Sequence, residues 1–340
     1  MGPPVGPGGG GPGMRSIRLL FGWGASLLLA VCGRAGTPGA GSDGRWAASF
    51  ASVSEGVTIL TRRDEFIAAL SPFDRAARMR SGTAISEAAF LRFVGTNVVE
   101  WSAVETNKLG AVLRRVGADL APWHLPLPAV VPLIKTTGHE EGNASYTRQQ
   151  AVVLPQHEVD SPARSLERVM LHELFHVLSR QNPALRKRLY RIIGFVPINA
   201  ITYPALLRPR QITNPDGVQS GWAITIRRQH QSLPVVPILY ASTEHYDPHR
   251  GGEFFDYLVF KLLAVTARDG QWEPLLAEGE PRLIEPAAAG GFFEQIGRNT
   301  GYIIHPDEIL AVNFVYLVEG QTNLPTPRIV AAMGKVLRER

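Results

Sequence analysis

The sequence has a single cysteine, Cys32, in 340 residues, so no disulfide can form within one chain and stability must come from the core. It also lacks a decisive charge of one sign. Thirty-five Lys and Arg face 30 Asp and Glu, and Arg15, Arg18 and Arg34 fall in an opening stretch that holds no acid. The basic clusters RKR (186–188), on a predicted helix, and RPR (208–210), in a loop, have no interleaved aromatics. They read as solvated surface, and no nucleic-acid partner is expected. No 20–50-residue repeat is present, which excludes a solenoid. With 45% hydrophobic and 19% charged residues the chain is not a disordered one, and it is long enough for a substantial core in one large domain or two smaller ones.

What is there begins with a leader. Residues 1–13 are Gly/Pro low complexity, and Met14 then opens a different pattern: Arg15 and Arg18, the apolar run Leu19–Val31, and a zone of small residues. That order is that of a secretory signal, with Met14 as the start, and the run is short for a membrane span. The expectation is an exported chain, periplasmic, attached to the cell envelope or secreted. Cys32 directly follows the apolar run, as in a bacterial lipoprotein signal, although Val31 stands where that signal prefers Gly, Ala or Ser. A lipidated Cys32 or the N-terminal segment would attach the chain to a membrane; otherwise Cys32 leaves with the cleaved peptide.

After the leader, assigned to 1–40, residues 46–120 repeat apolar residues at three and four and predict a helical N-terminal region. A Pro-rich break leads to VVPLIKTT and ASYTRQQAVVLP, which flank the polar GHEEGN and predict a hairpin. The helix 165–180 follows, with Ser161 and Pro162 as start and Asn182 and Pro183 as stop. A second helix turns back at once, and an insertion around 196–250 carries two predicted strands, GWAITIRR and VVPILYAS. Helices are predicted over 252–267 and 305–320, and an amphipathic helix closes the chain.

The helix 165–180, SLERVMLHELFHVLSR, sets three ionisable groups among Val169, Met170, Leu171, Leu174, Phe175, Val177 and Leu178. Buried polar groups need partners. His172 and His176, four apart, share one helix face and can reach a single metal ion, while Glu173 can approach a water bound to it; H-E-x-x-H is the zinc metallopeptidase signature for that reason. Positions 179 and 182 are Ser and Asn, so no nearby histidine supplies a third ligand. Two glutamates near the starts of later predicted helices are open to that role, Glu253 and Glu308.

HELFH followed much later by HPDEILAVNF resembles the gluzincin metallopeptidases, including the thermolysin-like and lethal-factor-like peptidases, whose second zinc helix reads E-x-x-A-E-x-F. Glu308, Ala311 and Phe314 match that helix. The resemblance implies an α+β fold with a zincin-like metallopeptidase domain, a mixed sheet whose edge strand lies over the HExxH helix, within 121–340. It implies one Zn2+ held by His172, His176 and Glu308, with Glu173 as general base. It also places a tyrosine ahead of the zinc helix, here Tyr302, as electrophile; His305, His245, Tyr246 and His249 compete for that role. Two departures stand out. Glu308 follows His176 at a longer distance than in thermolysin-like enzymes, and Val312 replaces the acid that orients a zinc histidine. The expected function is an exported zinc-dependent peptidase that binds a peptide or protein substrate along the 145–154 strand. A zinc- and peptide-binding domain impaired in catalysis and a metal-free envelope protein are its rivals.

Overall fold

Residues 39–40, 46–229 and 231–339 are described by the computed structural model. The leader with Met14, the apolar run and Cys32 lies outside them, save that Gly39–Ala40 (β1) pairs antiparallel with Ala47–Phe50 (β2). The predicted helical region therefore opens with a strand. Serines then start its helices: Ser52 caps Val53–Leu60 (α1), Ser71 caps Pro72–Arg78 (α3) after Glu65–Ala69 (α2), and Ser86 caps Glu87–Asn97 (α4). Ser102 caps Ala103–Leu120 (α5), accepting from Glu105 N–H while Glu105 accepts from the Ser102 N–H at 2.7 Å. Reciprocal bonds of this kind satisfy the amides a helix start leaves free.

Strands Val130–Thr136 (β3), Tyr146–Arg148 (β4) and Ala151–Pro155 (β5) complete a five-stranded mixed sheet of order β1-β2-β3-β5-β4, with β2, β3 and β5 parallel. The hairpin predicted across GHEEGN does not form. Its acids are buried, and Glu141 turns inward to pair with Arg78 at 2.6 Å, so the chain passes across the sheet end. The tight turn comes instead at Gln149, φ 57°, and makes β4 the sheet edge. Alternate residues of the sheet serve two cores: Val131, Leu133, Val152 and Leu154 face one side, Ile134 and Val153 the other, against Leu60, Phe66 and Phe90.

Gln156–Asp160 (α6) takes Ser161 as its end, so Ala163–Gln181 (α7), the helix of HELFH, starts from Pro162 rather than from a Ser161 cap. Its end is as predicted, Asn182 followed by Pro183–Ile192 (α8). A second, antiparallel sheet follows: Phe195–Pro197 (β6), Trp222–Arg228 (β7), Gln231–Ala241 (β8), Leu258–Arg268 (β9) and Gln271–Pro274 (β10), in the order β10-β9-β8-β7-β6. The helix predicted over 252–267 is thus a short 3-10 turn, Phe254–Tyr257, and the strand β9. Its apolar run looks helical because both faces are buried: Leu262 and Ala264 enter the main core, Leu263 and Val265 a separate cluster with Ile201, Tyr203, Val236 and Ile238.

Phe292–Ile296 (α9), Pro306–Val318 (α10) and Pro327–Arg338 (α11) close the chain. Helix α7 packs against α5 and α10 and under β4 and β5. Phe175 and Phe314, both fully buried with ring centroids 5.4 Å apart, join α7 to α10. That contact fixes how the two helices present their polar residues to each other. The architecture is α+β with a mixed sheet, and its main core runs from Trp46 to Leu337 without a break at residue 120. Among the described residues no helix is long and apolar enough to cross a membrane.

Candidate metal centre

His172 and His176 lie one turn apart on α7, with ring centroids separated by 4.7 Å. Helix α10 begins opposite them. Pro306 occupies its first turn, and His305 caps it by accepting the Asp307 N–H on Nδ1 at 3.1 Å. This start directs Glu308 at the pair. Its Oε2 lies 3.1 Å from His172 Nε2 and 3.4 Å from His176 Nε2. His172, His176 and Glu308 form a possible metal site, with donor atoms within 4.8 Å of one another.

The donor set can be tested for fit. Ligands ~2.0–2.2 Å from a tetrahedral ion lie roughly 3.3 Å apart. The Glu308 to histidine distances of 3.1 and 3.4 Å match that spacing. His176 Nε2 is fully buried and makes no hydrogen bond, and neither does Glu173 Oε2. Two orphaned polar atoms in one place are costly unless something binds there. Two imidazole nitrogens and one carboxylate oxygen suit zinc, so the residues present fit that ion.

A residue that the sequence reading passed over holds His176. The Asp307 carboxylate accepts from His176 Nδ1 at 2.7 Å, and its other oxygen accepts from Ser179 Oγ at 2.6 Å and Tyr190 OH at 2.7 Å. With Nδ1 engaged by Asp307, Nε2 is the nitrogen that faces Glu308. Burial pushes the Asp307 acid up, but the His176 hydrogen bond and charge outweigh it and hold it below the usual range. Asp307 thus supplies to His176 the acceptor whose loss the Val312 position suggested. Its signal was present in the sequence as the acid adjoining Glu308.

Burial raises Glu308 as well, yet the charges of His176 and His172 and their hydrogen bonds hold it well below the ordinary carboxylate range. Asn214 Nδ2 donates to Glu308 Oε1 at 2.8 Å, which leaves Oε2 to face the histidines. Glu173 goes the other way. Burial, and after it the neighbouring Asp216 charge, pushes its pKa well up.

Glu253 does not reach the centre. It caps the 254–257 turn and pairs with Arg80, so of the two glutamates only Glu308 joins the histidines. Tyr302 is half-buried, and after burial the charges of Glu308, Asp216 and Glu173 raise its phenol well above the ordinary value. It faces the same acids and keeps its proton. The competitors are placed otherwise. His305 is occupied as a helix cap, and burial pushes its ring down to about 4, which leaves it neutral. Tyr246 donates its hydroxyl to the Gly252 carbonyl at 2.9 Å, and His245 and His249 are exposed on the 242–250 loop.

Asp216, Asn214 and Arg180 are further neighbours of the centre that the sequence reading missed. NPDG (214–217) reads only as a turn, and nothing local announces that it folds against a helix start almost a hundred residues away. Comparison of the chain with family models, curated proteins and solved structures gives no match.

Proposed function

We infer that this chain is a zinc-dependent peptidase of the gluzincin type with a zincin-like arrangement of sheet and helices. The observation that carries the reading is the HExxH pair, half-buried His172 and buried His176, facing Glu308 at 3.1 and 3.4 Å, with Glu173 and its unpartnered Oε2 alongside. His172, His176 and Glu308 would hold the ion. Zinc bound there supplies a Lewis acid and a water acidified to about pKa 7.

The chain's own groups do the rest. Glu173, unpaired and biased toward protonation, takes the proton from the attacking water and passes it to the leaving amine. Tyr302, its phenol neutral, donates to the oxyanion that develops on the scissile carbonyl. Asp307 keeps His176 in the tautomer that presents a free Nε2. Helix α7 lies beneath β4, the sheet edge, and the peptide substrate runs along this edge by strand addition. The signal-like order of residues 14–35 supports export, with the chain acting in the periplasm, at the envelope or outside the cell.

Hydrolysis of fluorescein-labelled casein by the purified chain, compared with Glu173→Gln, tests this function. The wild type should cleave, and the variant should keep its zinc and lose nearly all turnover. Cleavage at wild-type rate by Glu173→Gln would remove that residue from the mechanism.

A further inference from the structure

The segment Asn214–Gly217 lies beside the centre, with Asn214 on Glu308, and its Asp216 side chain is only 6% exposed. One carboxylate oxygen of Asp216 accepts from the Thr147 N–H at 3.0 Å and from the Thr147 hydroxyl. Arg180 stands 3.6 Å from the same oxygen. Its Nη1 donates to Thr147 Oγ1 at 2.7 Å and to the Gln149 carbonyl at 3.0 Å, and its Nη2 donates to the Pro215 carbonyl at 2.8 Å. A backbone amide, a hydroxyl and a guanidinium so converge on one point, a donor set made for a carboxylate. The Asp216 carboxylate also adjoins the candidate metal centre, with one of its oxygens within 4.8 Å of ligand atoms of Glu173 and His176.

Thr147 is the middle residue of β4, the sheet edge, and its amide points away from β5. A peptide added to this edge takes that amide for its own carbonyl and leaves the Thr147 hydroxyl and Arg180 for a side chain; in the resting chain Asp216 holds both the amide and the hydroxyl. Buried groups anchor the residue before it, where Asp74 accepts from Thr213 N–H and Arg78 donates to the Thr213 carbonyl at 3.0 Å, and within it Asn214 Nδ2 donates to Glu308 Oε1 at 2.8 Å. Beyond that anchor it lies flat on the His305 ring, where a Cβ at Gly217 would come within 2.5 Å.

We propose that Thr147 and Arg180 form a carboxylate-binding subsite that selects peptides with an acidic side chain next to the scissile bond, and that Asp216 fills it in the resting chain. The inference rests on the peptidase reading and names its substrate class. An incoming acid exchanges for an internal one, so the buried donors are not left unpaired as Asn214–Gly217 withdraws.

Asp216→Ala in the full chain empties the subsite. Thermal unfolding with N-acetyl-L-aspartate α-methylamide and, separately, N-acetyl-L-asparagine α-methylamide, which differ only in the side-chain acid, then reads what it accepts. The aspartate compound should bind the variant at least ~10-fold more tightly than the asparagine compound, the scale of one charge-assisted hydrogen bond, and should bind wild type far less. Adding Arg180→Ala should abolish the preference. Gly217→Ala keeps every charge yet forces the segment off His305; it should acquire the same preference and decides the matter if Asp216→Ala does not fold. Absent or equal binding of the two compounds by the opened variants, or tight binding of the aspartate compound by wild type, overturns the subsite. None of these readings needs metal or turnover. Failure of the peptidase reading shows separately, as a wild-type chain without zinc and without hydrolysis.

Discussion

Replacing Asp307 by asparagine changes one atom's role and leaves the shape of a buried side chain intact. The asparagine oxygen can still accept from Ser179 Oγ and Tyr190 OH, which stand 2.6 and 2.7 Å from Asp307 Oδ1. Its amide group then takes the place of the oxygen 2.7 Å from His176 Nδ1, and an NH2 can only donate there. His176 must therefore accept at Nδ1 and carry its proton on Nε2, the nitrogen that faces Glu308. Zinc binding has to reverse that tautomer or break the new hydrogen bond. Loss of such a partner weakens metal affinity by ~10 to 100-fold, or about 1.4–2.8 kcal/mol. The fold should suffer less, because in the metal-free chain all three contacts survive as neutral hydrogen bonds in place of charge-assisted ones, at a cost of about 1 kcal/mol against a total of ~5–15 kcal/mol. Zinc titration against a competing fluorescent chelator measures the first quantity, and urea unfolding of the metal-free protein the second. Ser179→Ala touches only the other oxygen and should change zinc affinity much less. Wild-type zinc affinity in a folded Asp307→Asn chain would refute the role given to Asp307.

Glu308→Ala should remove most bound zinc while Glu253→Ala leaves it in place, because Glu253 pairs with Arg80 away from the histidines; metal analysis of both variants checks the ranking. Tyr302→Phe should keep zinc and stability and lower kcat by ~10²-fold or more, with His245→Ala and His249→Ala near wild type in the same casein assay. The pH dependence of stability follows from His305, whose ring titrates at about 4 in the fold against 6.5 when free. Between those values the unfolded chain binds a proton that the folded one refuses. Stability is therefore fully present above pH 6.5 and lost as pH falls toward 4, by as much as ~3 kcal/mol from this group. Urea unfolding of the metal-free chain at pH 7 and 4.5 should show a smaller loss in His305→Asn, which can still cap α10; equal losses would assign the acid sensitivity elsewhere.

The parts of this molecule that could be read in the sequence are those set by local rules. Two histidines four apart share a helix face in any α-helix, so α7 and its polar stripe were visible, and Asn182–Pro183 had to end it. Pro306 marked the start of α10, which put Glu308 in its first turn. What escaped depends on partners distant in sequence. The β9 run was read as helix because strands buried on both faces lose their alternation, and only pairing with β8 and β10 decides the matter. GHEEGN looked like a solvated turn until Arg78 drew Glu141 inside. Asp307 was hidden by its neighbour: the resemblance around Glu308 points to Val312, while the acceptor for His176 sits one residue before Glu308. Asp216 and Asn214 carry no local signal, since a turn sequence says nothing of the surface it will cover.

The zinc content of the purified full chain, determined with its His176→Ala variant, bears most directly on the central claim that His172, His176 and Glu308 hold a metal for catalysis. The account predicts one zinc per chain in wild type, nearly none in the variant, and casein cleavage that disappears with the metal and returns when zinc is restored. A folded wild-type chain that neither contains nor binds zinc, or a His176→Ala variant that holds it as well as wild type, would contradict it.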